Sequence, residues 1–209
     1  MTFLRLPILL TASLTLPLTA QEGPLLFQTV CAQCHGPEGG GRDELKAPSI
    51  AALPAWYVTT QLANFHDGKR GRDGAADPQG AMMAAVAKAL SETQIQALAA
   101  HVESLKEVAP AVLVVEGADV RAGQELFYER CMECHRYNAS GEMVFGSPPL
   151  TGRQGWYLLA QLQKFKGLHR GAAKGDEKGA KMVEMATKFI EDEQTMKNLV
   201  GYILTLNKP

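Results

Sequence analysis

Cys31-Ala32-Gln33-Cys34-His35 returns one hundred residues later as Cys131-Met132-Glu133-Cys134-His135. These two stretches contain all four cysteines of the 209-residue chain, and a histidine directly follows each pair. Residues three apart lie on the same face of a helical turn, so the two thiols of each pair can reach one partner. The adjacent histidine can present its imidazole to that partner from the same side.

The Cys-x-x-Cys-His pattern is the signature of covalent c-type haem attachment. A disulfide in an exported protein leaves the trailing histidine of both copies unexplained, and a zinc site needs both pairs around one ion. A thioredoxin-like dithiol needs a βαβ setting that the sequence does not indicate. The sequence therefore predicts two haem c groups as cofactors, with thioether bonds to Cys31, Cys34, Cys131 and Cys134 and with His35 and His135 as ligands of the two irons.

The motifs belong to a long internal repeat at an offset of 100 residues. The residues that recur at this offset include Gly23, Leu26, Phe27, Pro48, Trp56, Tyr57, Gln61, Phe65 and Arg70. We expect a signal peptide over residues 1–20, a first domain over 21–107, a linker over 108–118 and a second domain over 119–209. The valines of the linker predict that it lies extended against one or both domains.

Three helical patterns recur in each half. Leu26, Phe27, Val30, Cys31 and Cys34 are spaced to share one helix face. A second helix is expected from Trp56 or Trp156, and the last shows hydrophobic residues at spacing 0, 3, 4, 7 and 10 from Ile95 and from Met196. Ser91 and Gln94 form a candidate capping box. No alternating strand pattern of useful length appears outside the linker, so the predicted fold class is all-α, with two tandem domains that each enclose one haem.

Methionine is the natural candidate for the second axial ligand of each iron. Met83 and Met182 both open the pattern Met-x-x-hydrophobic-Ala, and both follow glycine-rich loops, over 68–80 and 167–179. Methionine is also a common filler of hydrophobic cores, so Met82 and Met185 stay open as alternatives. His66, His101 and His169 have no histidine counterpart in the other half, which favours surface or packing roles; His169 is the best placed rival as a distal ligand.

Residues 1–20 have the features of a cleaved secretory signal: one basic residue, Arg5, an apolar run from Leu6 to Leu18, and a small residue, Ala20, at the end. The apolar run is roughly 13 residues long and contains two prolines, which is short of the ~20 residues that span a bilayer. We therefore expect a soluble protein in the periplasm. A formal net charge of −1 excludes a generally basic, nucleic-acid-binding surface.

With these motifs, the chain resembles the class I c-type cytochromes, and its tandem layout is similar to the diheme cytochrome c4 family. The resemblance also rests on the Pro-x-Leu-x-Gly, Tyr-x-x-x-Gln-Leu and Met-x-x-x-Ala stretches. It implies that the carbonyls of Pro48 and Pro148 accept a hydrogen bond from the proximal histidines. It further implies a set of residues that line the haem pockets or lie near the haem propionates: Trp56, Tyr57, Arg70, Trp156, Tyr157 and Arg170.

Three positions depart from this pattern. Arg136 replaces the glycine that follows the histidine as Gly36, Ala52 stands where the second half has Gly152, and His101 stands where it has Tyr202. None of these changes affects a candidate ligand. They put the path of the loops and the interface between the haems in question.

Irons held by both histidine and methionine leave no position open for a substrate, so the expected function is outer-sphere transfer of single electrons. By resemblance, the expected partners are membrane respiratory complexes or periplasmic redox enzymes. The alternatives are a cytochrome subunit of a periplasmic oxidoreductase, a diheme peroxidase-like enzyme, and a redox-inert binding protein with two disulfides.

Overall fold

The computed structural model describes residues 18–207, and these residues form two helical units in tandem. The first unit contains α1 (Leu18–Leu26), a π-helical turn (Phe27–Cys31), α2 (Ala32–His35), a 3₁₀ turn (Asp43–Leu45), α3 (Ala55–His66), α4 (Pro78–Lys88) and α5 (Glu92–Ser104). The second contains α6 (Val120–Leu126), a π-helical turn (Phe127–Cys131), α7 (Met132–His135), α8 (Gly155–Lys166), α9 (Glu177–Phe189) and α10 (Glu193–Thr205). Apart from two isolated bridges, β-structure is absent from residues 18–207, which confirms the all-α prediction.

The first and last helices of each unit cross at a glycine. A side chain at Gly23 would clash with the carbonyl oxygen of Ala97, and one at Gly123 would clash with that of Asn198. One turn further along, the fully buried rings of Phe27 and Phe127 fill the crossing. Only glycine lets the two backbones approach this closely, which explains why Gly-x-x-x-Phe recurs in both halves.

The cysteine-bearing helix differs from an ordinary amphipathic helix. Its π-helical turn places one extra residue in the turn, which rotates the residues that follow. Val30, expected on the core side, is 39% exposed, whereas Phe27 is fully buried. By contrast, the predicted faces of α5 and α10 are confirmed, and so is the capping box between Ser91 and Gln94.

Helices α4 and α9 were not expected from the sequence, which assigned residues 68–80 and 167–179 to loops. Both begin within those stretches, capped by aspartates: Asp77 accepts a hydrogen bond from the Gly80 amide and Asp176 from the Gly179 amide. The candidate ligands Met83 and Met182 therefore lie in helices. Because α4 contains many alanines, its two faces differ little in hydrophobicity. Its sequence therefore shows no clear helical periodicity.

The middle of the linker does not pack against the domains as predicted. Val115 packs on the second core and Val108 lies beside Gly40, but Val112, Leu113 and Val114 are all exposed. The expectation that the linker valines lie against the domains is wrong for this segment. Residues of α3 and α8 instead take part in the contact between the units, where Arg70 donates to the Tyr157 hydroxyl and Arg170 to Gln61.

Arg136 takes a backbone conformation that suits glycine. Its φ and ψ are 63° and 158°, close to the 77° and 158° of Gly36 in the first unit. This region is essentially restricted to glycine, and another residue there is strained by about 1–3 kcal/mol. The loop path that follows the histidine is thus the same in both units, although the glycine is missing from the second.

We predict that Arg136→Gly raises the free energy of unfolding by about 1–2 kcal/mol, because it relieves this strain. The exposed ion pair between Arg136 and Glu142 that is lost contributes little. Urea unfolding of the haem-loaded protein measures the change. Gly36→Ala is the matched control and should destabilise the first unit; a destabilising Arg136→Gly would show that the side chain matters more than the strain.

Candidate functional site

The first unit contains a cavity of about 390 Å³ that is lined by most of the residues singled out from the sequence, although Cys34 is exposed and does not line it. Cys31, His35, Pro48 and Met83 all line it. Met82 is 59% exposed and is not among the lining residues. The geometry therefore favours Met83 over Met82 as the residue available to a group bound in this cavity.

The second unit contains an equivalent cavity of about 200 Å³. Its walls include both cysteines of the second motif, the following histidine, the proline and two methionines: Cys131, Cys134, His135, Pro148, Met182 and Met185. Both methionines lie on α9, three residues apart and hence on one side of the helix. Repeat position alone distinguishes them here, since Met182 is the counterpart of Met83.

Burial favours the neutral form of both histidines. Nδ1 of His35 lies 2.8 Å from the carbonyl oxygen of Pro48, and burial lowers the pKa of this histidine although that hydrogen bond acts in the opposite direction. Burial lowers the pKa of His135 to about 4, while the nearby Pro148 carbonyl opposes the shift. Nδ1 of His135 faces that carbonyl without meeting hydrogen-bond geometry, so it is a buried atom without a partner. Neutral imidazole is the form that binds a metal.

The cysteines are free thiols: Cys31 lines the first cavity, Cys131 and Cys134 line the second, and Cys34 is exposed. Burial, with a smaller contribution from the neighbouring cysteine, raises the pKa of Cys31 and of Cys131 to about 11. A zinc site would need thiolates from both pairs around one ion. Within residues 18–207, no group of three or more His, Cys, Asp and Glu side chains is arranged to hold a metal ion.

Each unit completes the cavity of the other. One side of α8 lines the first cavity with Trp156, Tyr157, Ala160, Gln161 and Lys164. One side of α3 lines the second cavity with Trp56, Tyr57, Thr60 and Gln61. The pocket residues expected from the resemblance therefore line the two cavities, but each tryptophan faces the cavity of the opposite unit.

A pair of arginines lies between the two cavities. Arg70 donates hydrogen bonds to Gln61 (2.7 Å), Gln161 (3.1 Å) and the Tyr157 hydroxyl (3.4 Å). Arg170 mirrors it, with bonds to Gln161 (2.7 Å), Gln61 (3.1 Å) and the Tyr57 hydroxyl (2.9 Å). Each guanidinium also lies over the phenylalanine of its own unit, at 4.4 and 4.5 Å from the ring centroids of Phe65 and Phe165.

These two buried cations lack anionic partners. Among residues 18–207, neither arginine forms a salt bridge, and Nε of Arg70 is buried without a hydrogen bond. Burial alone would raise the pKa of Tyr157, but Arg70 and Arg170 beside it, with Arg153, lower that pKa to about 8. A buried charge is strongly unfavourable unless it is paired. The interface therefore fits ligands that bring carboxylates, as the propionates of two haems do.

The remaining histidines lie away from both cavities. His66 is an exposed partner of Asp67, and His101 packs edge-on against Phe27. His169, the rival distal ligand, has its Nδ1 2.8 Å from the Asp73 carboxylate of the first unit.

Several residues of the interface were not singled out from the sequence. Gln61 and Gln161 recur in the repeat, and that recurrence of a polar residue on an amphipathic helix is a signal that could have found them. Others are replaced by a different residue type at the equivalent position of the first half, so the repeat gives no hint of them: Arg153, Gln154 and Lys164.

Two helical units, each with a Cys-x-x-Cys-His motif and a methionine around one cavity, define a diheme c-type cytochrome. The chain belongs to the cytochrome c family: the family model for cytochrome c matches residues 20–106 and again residues 120–207. Each match covers one unit with its motif and cavity, and the chain accordingly carries two haem c groups.

Known relatives agree with this assignment. The chain is 32% identical over 157 residues to the thiosulfate dehydrogenase electron acceptor of Thiomonas intermedia, an alignment that covers 71% of this chain and 67% of the relative. A thiosulfate dehydrogenase (TsdBA) structure from Marichromatium purpuratum has a TM-score of 0.68 and 28% identity, and the match covers 89% of this chain but only 40% of that one. Reduced cytochrome c4 from Pseudomonas stutzeri shares the fold, with a TM-score of 0.68, 24% identity and coverage of 88% and 97%.

The chain is thus an electron-transfer cytochrome of the diheme, cytochrome c4-like type. Its relatives are electron carriers or electron-acceptor subunits, which confirms the expected class of function.

Proposed function

We propose that this chain consists of two haem domains, over residues 21–107 and 119–209, joined by the linker 108–118. The ligands of the first iron are His35 and Met83, which line the first cavity, and Cys31 and the exposed Cys34 form the thioether bonds. His135 and Met182 hold the second iron, bonded through Cys131 and Cys134. The observation that supports this set is that each motif shares its cavity with the methionine at the equivalent repeat position.

The haems supply reversible one-electron chemistry of iron when bound. The protein fixes the histidines and methionines, buries the cavities and provides cations for the propionates. Pro48 orients the imidazole of His35 through its carbonyl, 2.8 Å from Nδ1. Arg70 and Arg170 would pair with the propionates at the interface, which would offset the burial of both guanidiniums. A peroxidase-like function is the weaker alternative, because each cavity offers a methionine for the position that a peroxide would need.

The protein acts outside the cytoplasm, in the periplasm. The signal that supports export lies over residues 1–20, of which 1–17 are outside the described part of the structure. Pro24 lies in α1 and cannot donate the helical hydrogen bond to residue 20. Cleavage after Ala20 would put Pro24 in the first turn, where that bond is not needed. None of the helices within residues 18–207 is both long and apolar enough to cross a membrane.

The second unit presents the surface for a redox partner. Tyr137, Met143, Val144 and Phe145 are 67%, 58%, 78% and 38% exposed, and Phe145 also lines the cavity of Cys131 and Cys134. At positions 43 and 44 the first unit has Asp43 and Glu44 in place of Met143 and Val144. An exposed apolar patch of this kind indicates a binding surface.

The partner that donates electrons is a periplasmic oxidoreductase, and a membrane respiratory complex accepts them. The similarity to a thiosulfate dehydrogenase electron acceptor supports a sulfur-compound dehydrogenase as the donor. In this scheme the chain is a carrier or an electron-accepting subunit, and the apolar patch of the second unit contacts the donor.

Met182→Ala tests the assignment of ligands. A methionine thioether favours ferrous iron, so its loss should lower the potential of the second haem by more than about 60 mV, a tenfold change in a one-electron equilibrium. Spectroelectrochemical titration measures both potentials, and Met185→Ala is the matched control on the same helix. Equal shifts of both haems, or a larger effect of Met185→Ala, would contradict the assignment.

Met143→Glu with Val144→Glu tests the partner surface. Charges on the patch should slow reduction by thiosulfate dehydrogenase about tenfold, since desolvating them opposes docking. Stopped-flow spectroscopy gives the second-order rate constant. The control is Val112→Glu with Val114→Glu, which places the same charges on the exposed linker. If both double variants react at the same rate, the patch is not the docking surface.

A further inference from the structure

The polar contacts of α8 and the loop before it reach across the interface into the first unit. Arg153 donates to the carbonyl oxygens of Ser49 (2.7 Å) and Ala51 (2.8 Å). Gln154 accepts a hydrogen bond from the Ser49 amide (2.8 Å), directly after Pro48, whose carbonyl orients His35. The segment on the histidine side of the first cavity is therefore held by the second unit.

Lys164 makes the corresponding contact on the methionine side. Its Nζ lies 2.6 Å from Oδ1 of Asp77, and the side chains of Lys164 and Asp77 are 15% and 2% exposed. Both residues also line the first cavity. A charged pair so little exposed holds its geometry far more firmly than a surface pair, because loss of one partner leaves the other charge buried and unpaired.

Asp77 links this pair to the helix of Met83. It is the N-cap of α4, and the same oxygen that contacts Lys164 accepts the hydrogen bond of the Gly80 amide at 2.8 Å. Gly80 has no room for a side chain, since a Cβ there would clash with the Asp77 carboxylate. The Asp77 carboxylate, the first turn of α4 and Lys164 thus form one rigid contact. This contact includes Gly80, which lies three residues before Met83.

The second unit has no equivalent of this contact. The counterpart of Lys164 is Asn64, and the counterpart of Asp77 is Asp176, which caps α9 at Gly179. Asp176 is only half-buried and forms no salt bridge among residues 18–207. The repeat therefore does not require Lys164 for folding the unit as such.

We propose that Lys164 of the second unit is a positioning residue for the first haem site: through Asp77 it fixes the start of α4 and hence Met83. This inference rests on the proposed assignment of Met83 as a ligand. The contact between Lys164 and Asp77 makes the first haem site dependent on the docked second unit. By contrast, α9 of the second site is capped by Asp176 of its own unit.

Hydrogen exchange of the haem-loaded protein tests the inference directly. In Lys164→Met, the amides of residues 79–88 should exchange at least about tenfold faster than in the wild type, because the Asp77 carboxylate is left buried and unpaired and holds the helix start less firmly. Amides of Glu177–Phe189 should be unchanged. Lys166→Met is the matched control: it lies on the same helix, but its Nζ bonds to the Ile190 carbonyl of its own unit.

Two further variants separate positioning from loss of the fold. Lys164→Arg keeps the charge and should restore slow exchange in α4. Asp77→Asn with Lys164→Met keeps a capping side chain and removes the buried carboxylate, so its exchange should fall between the wild type and Lys164→Met. These variants keep the test decisive if Lys164→Met does not accumulate as folded protein.

The haem itself provides the second measurement. In Lys164→Met, the upfield methyl resonance of the first ligating methionine in the reduced protein should broaden or shift, and the potential of the first haem should fall. The methionine resonance and the potential of the second haem should be unchanged. Unchanged exchange in α4, or equal acceleration in α4 and α9, would overturn the role of Lys164. Accelerated exchange confined to α4 with an unchanged methionine resonance would support the role of Lys164 in fixing α4. The same result would contradict Met83 as the ligand.

Discussion

Arg70 and Arg170 lie buried between the two units, held by Gln61, Gln161 and tyrosine hydroxyls from both sides. Their hydrogen bonds cross from one unit to the other, so the arginine pair is shared by both cavities. The two positive charges have no carboxylate partner among residues 18–207. Such an arrangement is unfavourable unless anions pair with the arginines, and two haems that each bring propionates fit this requirement.

The shared interface also explains why each unit forms part of the wall of the other unit's cavity. Because each unit supplies a helix face to the cavity of the other, neither haem site is complete in a single repeat. A domain of about 90 residues has a modest core of its own, and a large apolar cofactor extends it. Burial of the two cofactors and docking of the two repeats therefore stabilise the same structure, with the arginine pair at its centre.

The sequence predicted the features that residue spacing encodes, and it missed several others, some of which recur in both units. The attachment motifs follow from the spacing of cysteine and histidine. The all-α class and the faces of α5 and α10 follow from hydrophobic spacing, since buried residues of a helix recur every three or four positions. Helix α4 was not expected because its alanines give no apolar stripe, and only its first residues fall in the predicted loop 68–80. The π-helical turn at Phe27–Cys31 moved Val30 to the surface. Lys164 and Arg153 could not be found, because their role depends on how two units dock and no local pattern encodes that.

A crystal structure of the mature, haem-loaded protein measures the central claim most directly, through the distances between the haem carboxylates and the two guanidiniums. The account predicts one haem in each cavity, with a carboxylate of each within hydrogen-bond distance of Arg70 or Arg170. Carboxylates that point into solvent, with both arginines still buried and unpaired, would contradict it.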